Sequence, residues 1–164
     1  MEMGPGIAMD PFSYPGPLGV RDSKTGGLDD RLARITTRRG VTLWVNVSSS
    51  LPGQLRAALR AHAIQCLPHE CVGLIVISGN RWWAMALPAK VSTKGFAIEP
   101  TVWARTLENL ERHHVEIWAT YHSHPSGRLQ PSGRDHVLWW TSERLLLLAP
   151  EGERIAIAQY EWRP

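Results

Sequence analysis

Two histidines stand one residue apart in the stretch TYHSHPSGRLQPSGRDH, which runs from Thr120 to His136. Residues i and i+2 of a β-strand point to the same face, so His122 and His124 can present both imidazoles to a single ion. Asp135 follows a loop rich in proline and glycine, which can bring its carboxylate back to the two histidines. Two imidazoles and one carboxylate leave the fourth tetrahedral position of a zinc ion open, which is typical of catalytic zinc sites. The spacing therefore predicts a catalytic metal centre.

Two further side chains, Glu70 and Ser132, are candidates for catalysis beside this metal centre. A metal-bound water needs a base that removes its proton and later returns the proton to the leaving group. Glu70, in LPHECVGLIV, lies where a predicted helix meets a predicted buried strand, and an acid is costly there unless it is paired or functional. Ser132 can donate a hydrogen bond to a developing oxyanion. The structural alternatives are that Glu70 solvates a helix end and that Ser132 is an N-cap.

The other histidines and the cysteines are interpreted as structural. His113 and His114 fall in the last turn of a predicted helix, where cationic side chains interact favourably with the helix dipole. Cys66 and Cys71 form no C-x-x-C pair, so we predict packing residues in a reduced protein rather than a disulfide or a zinc site. No role is assigned to His62, His69 and His136.

The composition predicts one folded domain without a nucleic-acid or membrane partner. The chain has 164 residues, of which 43% are hydrophobic and 20% charged, which suits a single domain with its own core. A formal net charge of +3, from scattered arginines, is poor support for nucleic-acid binding. No apolar run reaches the roughly 18 residues of a membrane span, and the N-terminal segment lacks a signal-peptide pattern. We therefore expect a cytoplasmic protein.

The pattern of elements predicts an α/β or α+β domain with a mixed sheet and two flanking helices. Residues 1–39 are rich in Gly, Pro and Asp and are predicted to form a disordered arm, with a short helical turn near Leu28–Ile35. Residues 40–164 are predicted to form the domain. Strands are predicted at GVTLWVNVS, CVGLIVIS, RWWAMALPAKV, FAIEP, EIWATYHSH, RLLLLAP and RIAIAQYEW, the last two as a hairpin. Helices are predicted at SSLPGQLRAALRAHAIQCLP, PTVWARTLENLERHHV and, as a short helix, SGRDHVLWWTSE.

These residues together resemble the signature of the JAMM (MPN+, or JAB domain) zinc metallopeptidase family. That signature is an upstream glutamate, then H-[ST]-H-P, then S-x-x-D, and the chain has Glu70, HSHP at 122–125 and SGRD at 132–135 in the same order. The segment LPHECVGLIV also resembles the family's P-x-E-x-x-G segment. The likeness covers roughly residues 41–162. Because the segment after Asp135 leads directly into helix and strand, the chain resembles the compact prokaryotic type.

The resemblance implies a single-domain, cytidine-deaminase-like α/β sandwich with a curved mixed β-sheet flanked by helices. It implies that His122, His124 and Asp135 bind one zinc ion per chain. By the same resemblance, Glu70 is the general acid/base acting through the bound water, and Ser132 supports the tetrahedral intermediate. The implied activity is hydrolysis of the peptide or isopeptide bond after the C-terminal Gly-Gly tail of a ubiquitin-like or sulfur-carrier protein. An activating or conjugating enzyme of the same pathway is the implied further partner.

Two alternatives stay open at this point. The HPSG and PSGRD segments also resemble the RadC-like family linked to DNA repair, although that family's tail after the motif is not evident and PHECVG fits the peptidases better. A non-catalytic MPN scaffold is the second alternative, and the complete set of predicted ligands argues against it.

Overall fold

The structure is a computed structural model, and it describes residues 34–36, 42–47, 50–138 and 141–162. A short 3-10 helix spans Asp135–Leu138. The helices and strands of the described part are, in chain order, β1 (Arg34–Thr36), β2 (Thr42–Val47), α1 (Gly53–Cys66), β3 (Val72–Ser78), β4 (Arg81–Ala86), β5 (Lys90–Ser92), β6 (Gly95–Ala97), α2 (Pro100–Arg112), β7 (Glu116–Ser123), β8 (Arg144–Glu151) and β9 (Arg154–Trp162).

Seven strands form one mixed sheet in the order β1-β2-β9-β8-β7-β3-β4. The pair β7 and β8 is parallel, and the other neighbouring pairs of this sheet are antiparallel. The strands β5 and β6 form a separate two-stranded antiparallel ribbon. The mixed sheet and the β8–β9 hairpin confirm the predicted α/β architecture.

The two helices pack on opposite faces of the sheet because the central strands are apolar on both faces. One side of α1 buries Leu55, Leu59 and Ala63, spaced four residues apart, against a cluster that includes Ile75 of β3. The residues of β3 on either side of Ile75 point to the opposite face of the sheet, where they pack in a second hydrophobic cluster with Leu110 of α2. The continuous run of buried residues in β3 is that of a central strand, as the sequence predicts.

The structure corrects two predicted elements. The predicted strand RWWAMALPAKV is divided, since β4 ends at Ala86 and β5 begins at Lys90. Pro88 lies between them, and proline has no N–H to give to a strand ladder. The helix predicted after Ser132 is the 3-10 turn Asp135–Leu138.

The N-terminal predictions fall mostly outside the described residues. Of the helical turn predicted near Leu28–Ile35, only the end at Arg34 and Ile35 is described, and it belongs to β1, which pairs with β2. Pairing with a neighbouring strand overrides the local helical pattern there. Among the helices that the structure describes, neither is long and apolar enough to cross a membrane.

Candidate metal centre

The three predicted ligands meet at the end of β7. His122 Nε2 and His124 Nε2 lie 3.0 Å apart, and Asp135 Oδ1 lies 3.0 Å from His122 Nε2. Asp135 Oδ2 lies 3.8 Å from His124 Nε2, and the ligand atoms of the three residues all fall within 4.8 Å of one another. Two ligands of a tetrahedral zinc ion, each at about 2.0–2.1 Å, are roughly 3.3 Å apart. The spacing of this group therefore fits a metal ion.

Burial and hydrogen bonding orient the two imidazoles toward this group. The exposed fractions of His122 and His124 are 0% and 9%. His124 Nδ1 lies 2.8 Å from the carbonyl oxygen of Arg128, which can only accept, so Nδ1 donates and the lone pair of Nε2 faces the group. The ring of Phe96 packs at 5.4 Å from the ring of His122, whose Nδ1 has no hydrogen-bond partner among the described residues.

The carboxylate of Asp135 is held in its charged form. The main-chain N–H of Ser132 donates to Asp135 Oδ2 at 2.5 Å. Burial alone would raise the pKa of Asp135, but the hydrogen bonds that its carboxylate accepts from His122 and from the Ser132 N–H, together with the neighbouring imidazoles, outweigh burial and lower it. A charged carboxylate is the form that a metal ion requires. The Ser132 hydroxyl oxygen accepts a hydrogen bond from the main-chain N–H of Arg134 at 3.3 Å, and its side chain is half-buried.

Glu70 lies beside this group, although it comes from a different part of the chain. In the β3–β7 ladder, Val72 is paired with His122, and Glu70 lies two residues before Val72, close enough for its carboxyl to interact electrostatically with His122 and Asp135. Its main-chain N–H donates to the carbonyl oxygen of Ser92 at 2.8 Å, and the residue is 7% exposed.

The environment of the Glu70 carboxyl favours its protonated form. Burial raises the pKa of Glu70, and the charge of Asp135 raises it further. His122 and Arg134 act in the opposite direction, but the net pKa stays above the usual value. A carboxyl with a raised pKa next to a metal-ligand group is suited to proton transfer near neutral pH.

The loop between His124 and Asp135 is folded back by specific contacts. The N–H of Gly127 donates to the carbonyl oxygen of His124 at 3.0 Å, and Gly127 has a φ of 84°, a backbone conformation that favours glycine. Further along, the hydroxyl of Tyr160 on β9 donates to the carbonyl oxygen of Leu129 at 2.5 Å. These contacts close the loop, so that Asp135 returns to the end of β7.

Residues outside the predicted set also support the site. Tyr160 bonds to the main chain of the loop before Asp135, and its sequence context gives no signal of it. Ser123 occupies the [ST] position of the signature, but the signature does not show that its hydroxyl bonds to Cys71. Cys66 and Cys71 are both free thiols, and Cys71 is buried in the core with its pKa raised by burial to about 12. His62 lies elsewhere, with Nδ1 at 2.8 Å from the Tyr121 hydroxyl. The side chain of His136 lies outside what the structure describes.

A mixed α/β sandwich with a buried His-His-Asp group and a buried glutamate beside it defines a candidate metal-dependent hydrolase. The family model described as "Prokaryotic homologs of the JAB domain" matches residues 52–163, and the chain belongs to this family. The predicted resemblance is thereby confirmed.

The proteins similar to the chain include a relative of known name and a solved structure. A relative from Thermus thermophilus, named "Probable TtuB-protein conjugate cleaving protease", is 30% identical over 120 residues, which cover 65% of this chain and 80% of the relative. A solution structure of a protein from Desulfitobacterium hafniense matches with a TM-score of 0.53 at 20% identity, over 68% of this chain and 86% of that one. The second likeness supports the fold alone, whereas the family and the first relative support a hydrolase of the protease class.

Proposed function

We propose that this chain is a zinc-dependent peptidase or isopeptidase. It hydrolyses the bond after the C-terminal Gly-Gly tail of a ubiquitin-like or sulfur-carrier protein, in deconjugation or in precursor processing. The observation that carries the proposal is the buried group of His122, His124 and Asp135, whose ligand atoms lie within 4.8 Å of one another. The name of the Thermus relative, which specifies cleavage of TtuB-protein conjugates, supports a small protein modifier as the substrate.

The proposed metal ligands are His122, His124 and Asp135, and they would hold one zinc ion per chain. Zinc bound there would polarise the scissile carbonyl and acidify a water molecule. His124 donates from Nδ1 to the Arg128 carbonyl oxygen, which leaves Nε2 for the metal, and burial lowers the pKa of His124 and so favours the neutral imidazole. Asp135 contributes a negative charge that its hydrogen bonds keep ionised.

Glu70 and Ser132 are the proposed catalytic residues. Glu70 accepts a proton from the attacking water and then donates it to the leaving nitrogen, a double role that suits a carboxyl with a raised pKa. The Ser132 oxygen already accepts the N–H of Arg134, so its own O–H is the donor that we assign to the oxyanion of the tetrahedral intermediate. Its half-buried position leaves it within reach of a substrate.

The burial of the site supports a substrate tail made of glycine. The exposed fractions of the three proposed ligands are at most 9%, so a chain that carries large side chains would have to displace protein atoms to reach them. Gly-Gly has no side chains and can lie extended along a strand edge through main-chain hydrogen bonds. An activating or conjugating enzyme of the same pathway is the proposed further partner. The two free cysteines fit a reducing compartment, so we place the reaction in the cytoplasm.

Mass spectrometry on a defined fusion tests the proposed substrate class. A ubiquitin-like protein that ends in Gly-Gly is fused to a reporter, and a matched fusion ends in Ala-Ala. Zinc is quantified in the same enzyme sample, which is purified without chelators. We expect about one zinc per chain and a cut directly after Gly-Gly, with the Ala-Ala fusion left intact. Zinc without a cut would reject this substrate class, and a zinc-free chain without activity would restore the non-catalytic scaffold.

A further inference from the structure

The ladder between β3 and β7 changes its hydrogen-bond pattern at its end, where Cys71 faces Ser123. In a regular antiparallel pair of this kind, the two residues exchange both main-chain N–H···O=C bonds. One of these bonds is present, since Ser123 N–H donates to the Cys71 carbonyl oxygen at 2.9 Å. The reciprocal bond runs to a side chain, because Cys71 N–H donates to Ser123 Oγ at 2.8 Å. The hydroxyl thus stands where a carbonyl oxygen would stand in a regular ladder.

This bond lies at the end of the β3–β7 ladder, since β3 begins at Val72 and β7 ends at Ser123. The next residue, His124, donates its main-chain N–H to Leu148 on the other neighbouring strand, β8, at 2.8 Å. The serine hydroxyl accepts the N–H that a main-chain carbonyl would accept in a regular ladder, and it keeps the segment before β3 attached to the strand that carries the histidines.

The position of the bridge in the sequence links it to the chemistry. Ser123 lies between His122 and His124, and Cys71 directly follows Glu70. Ser123 and Cys71 are 2% and 1% exposed, so water cannot replace the bond. One hydroxyl therefore joins the backbone of the proposed metal ligands to the backbone of the proposed acid/base.

We propose that Ser123 is a positioning residue whose hydroxyl, by accepting the N–H of Cys71, holds the Glu70 carboxyl beside the metal group. This inference rests on the proposed function. Removal of the hydroxyl leaves a buried N–H without a partner, and the Glu70–Cys71 segment must shift to satisfy it. A misplacement of a catalytic group by about 1 Å costs on the order of 100-fold in rate.

The metal ligands have supports of their own that do not depend on this hydroxyl. His124 is held by the carbonyl oxygens of Arg128 and Leu148, and Asp135 is held by the N–H of Ser132. Loss of the Ser123 hydroxyl is therefore expected to lower turnover while zinc binding is retained. A merely structural defect would lower both together.

The test compares Ser123→Val with Ser123→Thr in the full chain, because the two side chains have the same shape and only threonine keeps the acceptor. Ser142→Val is the matched control. Ser142 makes the same kind of bridge toward the opposite end of β7, since its hydroxyl accepts the Arg144 N–H at 3.1 Å and donates to the Trp118 carbonyl oxygen at 3.0 Å. We expect Ser123→Val to lower kcat on the Gly-Gly fusion about 100-fold. In Ser123→Val, we expect KM and zinc content to change by less than about threefold. In Ser123→Thr and Ser142→Val, we expect kcat to change by less than about threefold as well.

A readout that is independent of turnover is hydrogen exchange of the Cys71 amide in the zinc-free protein. We expect strong protection in the wild type and in Ser123→Thr, and fast exchange in Ser123→Val. Ser123→Ala takes the place of the valine variant if that variant does not fold.

The outcomes separate this inference from the proposed function. A wild-type chain that cuts the fusion, together with a Ser123→Val variant that keeps its kcat or its Cys71 protection, would overturn the inference alone. Joint loss of zinc and turnover in Ser123→Val would also overturn it, because the hydroxyl would then support the ligands. A wild-type chain without zinc and without cleavage would overturn the proposed function, and the inference with it.

Discussion

Among the glycines that the structure describes, Gly73 is the one at which an added methyl group would meet the closest contacts. It lies in β3, paired with Tyr121 of β7 on one side and Ala86 of β4 on the other. A Cβ atom at Gly73 would lie 2.4 Å from the Met85 carbonyl oxygen and 2.4 Å from Cζ and Oη of Tyr121. Such contacts are well inside van der Waals distance, so Gly73→Ala requires the neighbouring atoms to move.

Neither neighbour can move easily. The Met85 oxygen belongs to the backbone of a paired strand, and the Tyr121 ring is 1% exposed with its hydroxyl 2.8 Å from His62 Nδ1. Overpacking of a core costs typically 1–3 kcal/mol, and we expect about 3 kcal/mol here, because a backbone atom and a buried ring are both displaced. For a domain of this size, that free energy lowers Tm by about 10 °C.

Thermal unfolding followed by circular dichroism measures this effect, with urea unfolding as a second method. The control is Gly53→Ala at the start of α1, where an added Cβ meets nothing within 4 Å. We expect the control to change Tm by less than about 2 °C. A Gly73→Ala variant as stable as this control would refute the argument that Tyr121 packs directly over Gly73.

Three further changes test other parts of the account. Burial lowers the pKa of His62, so at acid pH the unfolded chain binds a proton that the folded chain does not. The free energy of unfolding should therefore fall as the pH drops below 6.5, the ordinary pKa of histidine. His62→Gln should reduce this loss, measured by urea unfolding between pH 7 and 5. Tyr160→Phe removes the hydroxyl that bonds to Leu129, so stability should fall by about 1 kcal/mol in urea unfolding, and zinc should dissociate faster in chelator competition. Ser132→Ala should lower kcat about 100-fold on the Gly-Gly fusion and keep its zinc.

Each of these three expectations has a result that would contradict it. An unchanged pH profile in His62→Gln would show that other groups cause the acid-dependent loss. Wild-type zinc dissociation in Tyr160→Phe would show that the loop does not depend on the tyrosine hydroxyl. Full activity in Ser132→Ala would remove that serine from the proposed mechanism.

The sequence predicts the main elements and the ligand spacing because both are local properties. Continuous apolar runs mark β3 and β8, and apolar residues four apart mark the buried face of α1. The i, i+2 spacing of His122 and His124 depends only on strand geometry, and the structure brings both together with Asp135.

Features that depend on long-range register are beyond such reasoning. The bond between Cys71 and Ser123 joins residues 52 positions apart, and the bond from Tyr160 to Leu129 joins residues 31 positions apart. Both require knowledge of which strands are neighbours and in which register. The break between β4 and β5 has a local cause, because Pro88 cannot donate to a strand ladder, and it could therefore have been predicted from the sequence.

The most direct test of the central claim measures zinc content and turnover together in Glu70→Gln, with Asp135→Ala beside it. Glutamine keeps the size of Glu70 but cannot accept and return a proton, so we expect about one zinc per chain and a kcat on the Gly-Gly fusion lowered about 1000-fold. We expect Asp135→Ala to lose both zinc and turnover. A Glu70→Gln variant that cleaves as fast as the wild type would contradict the proposed acid/base role. An Asp135→Ala variant that keeps full zinc would contradict the proposed metal site.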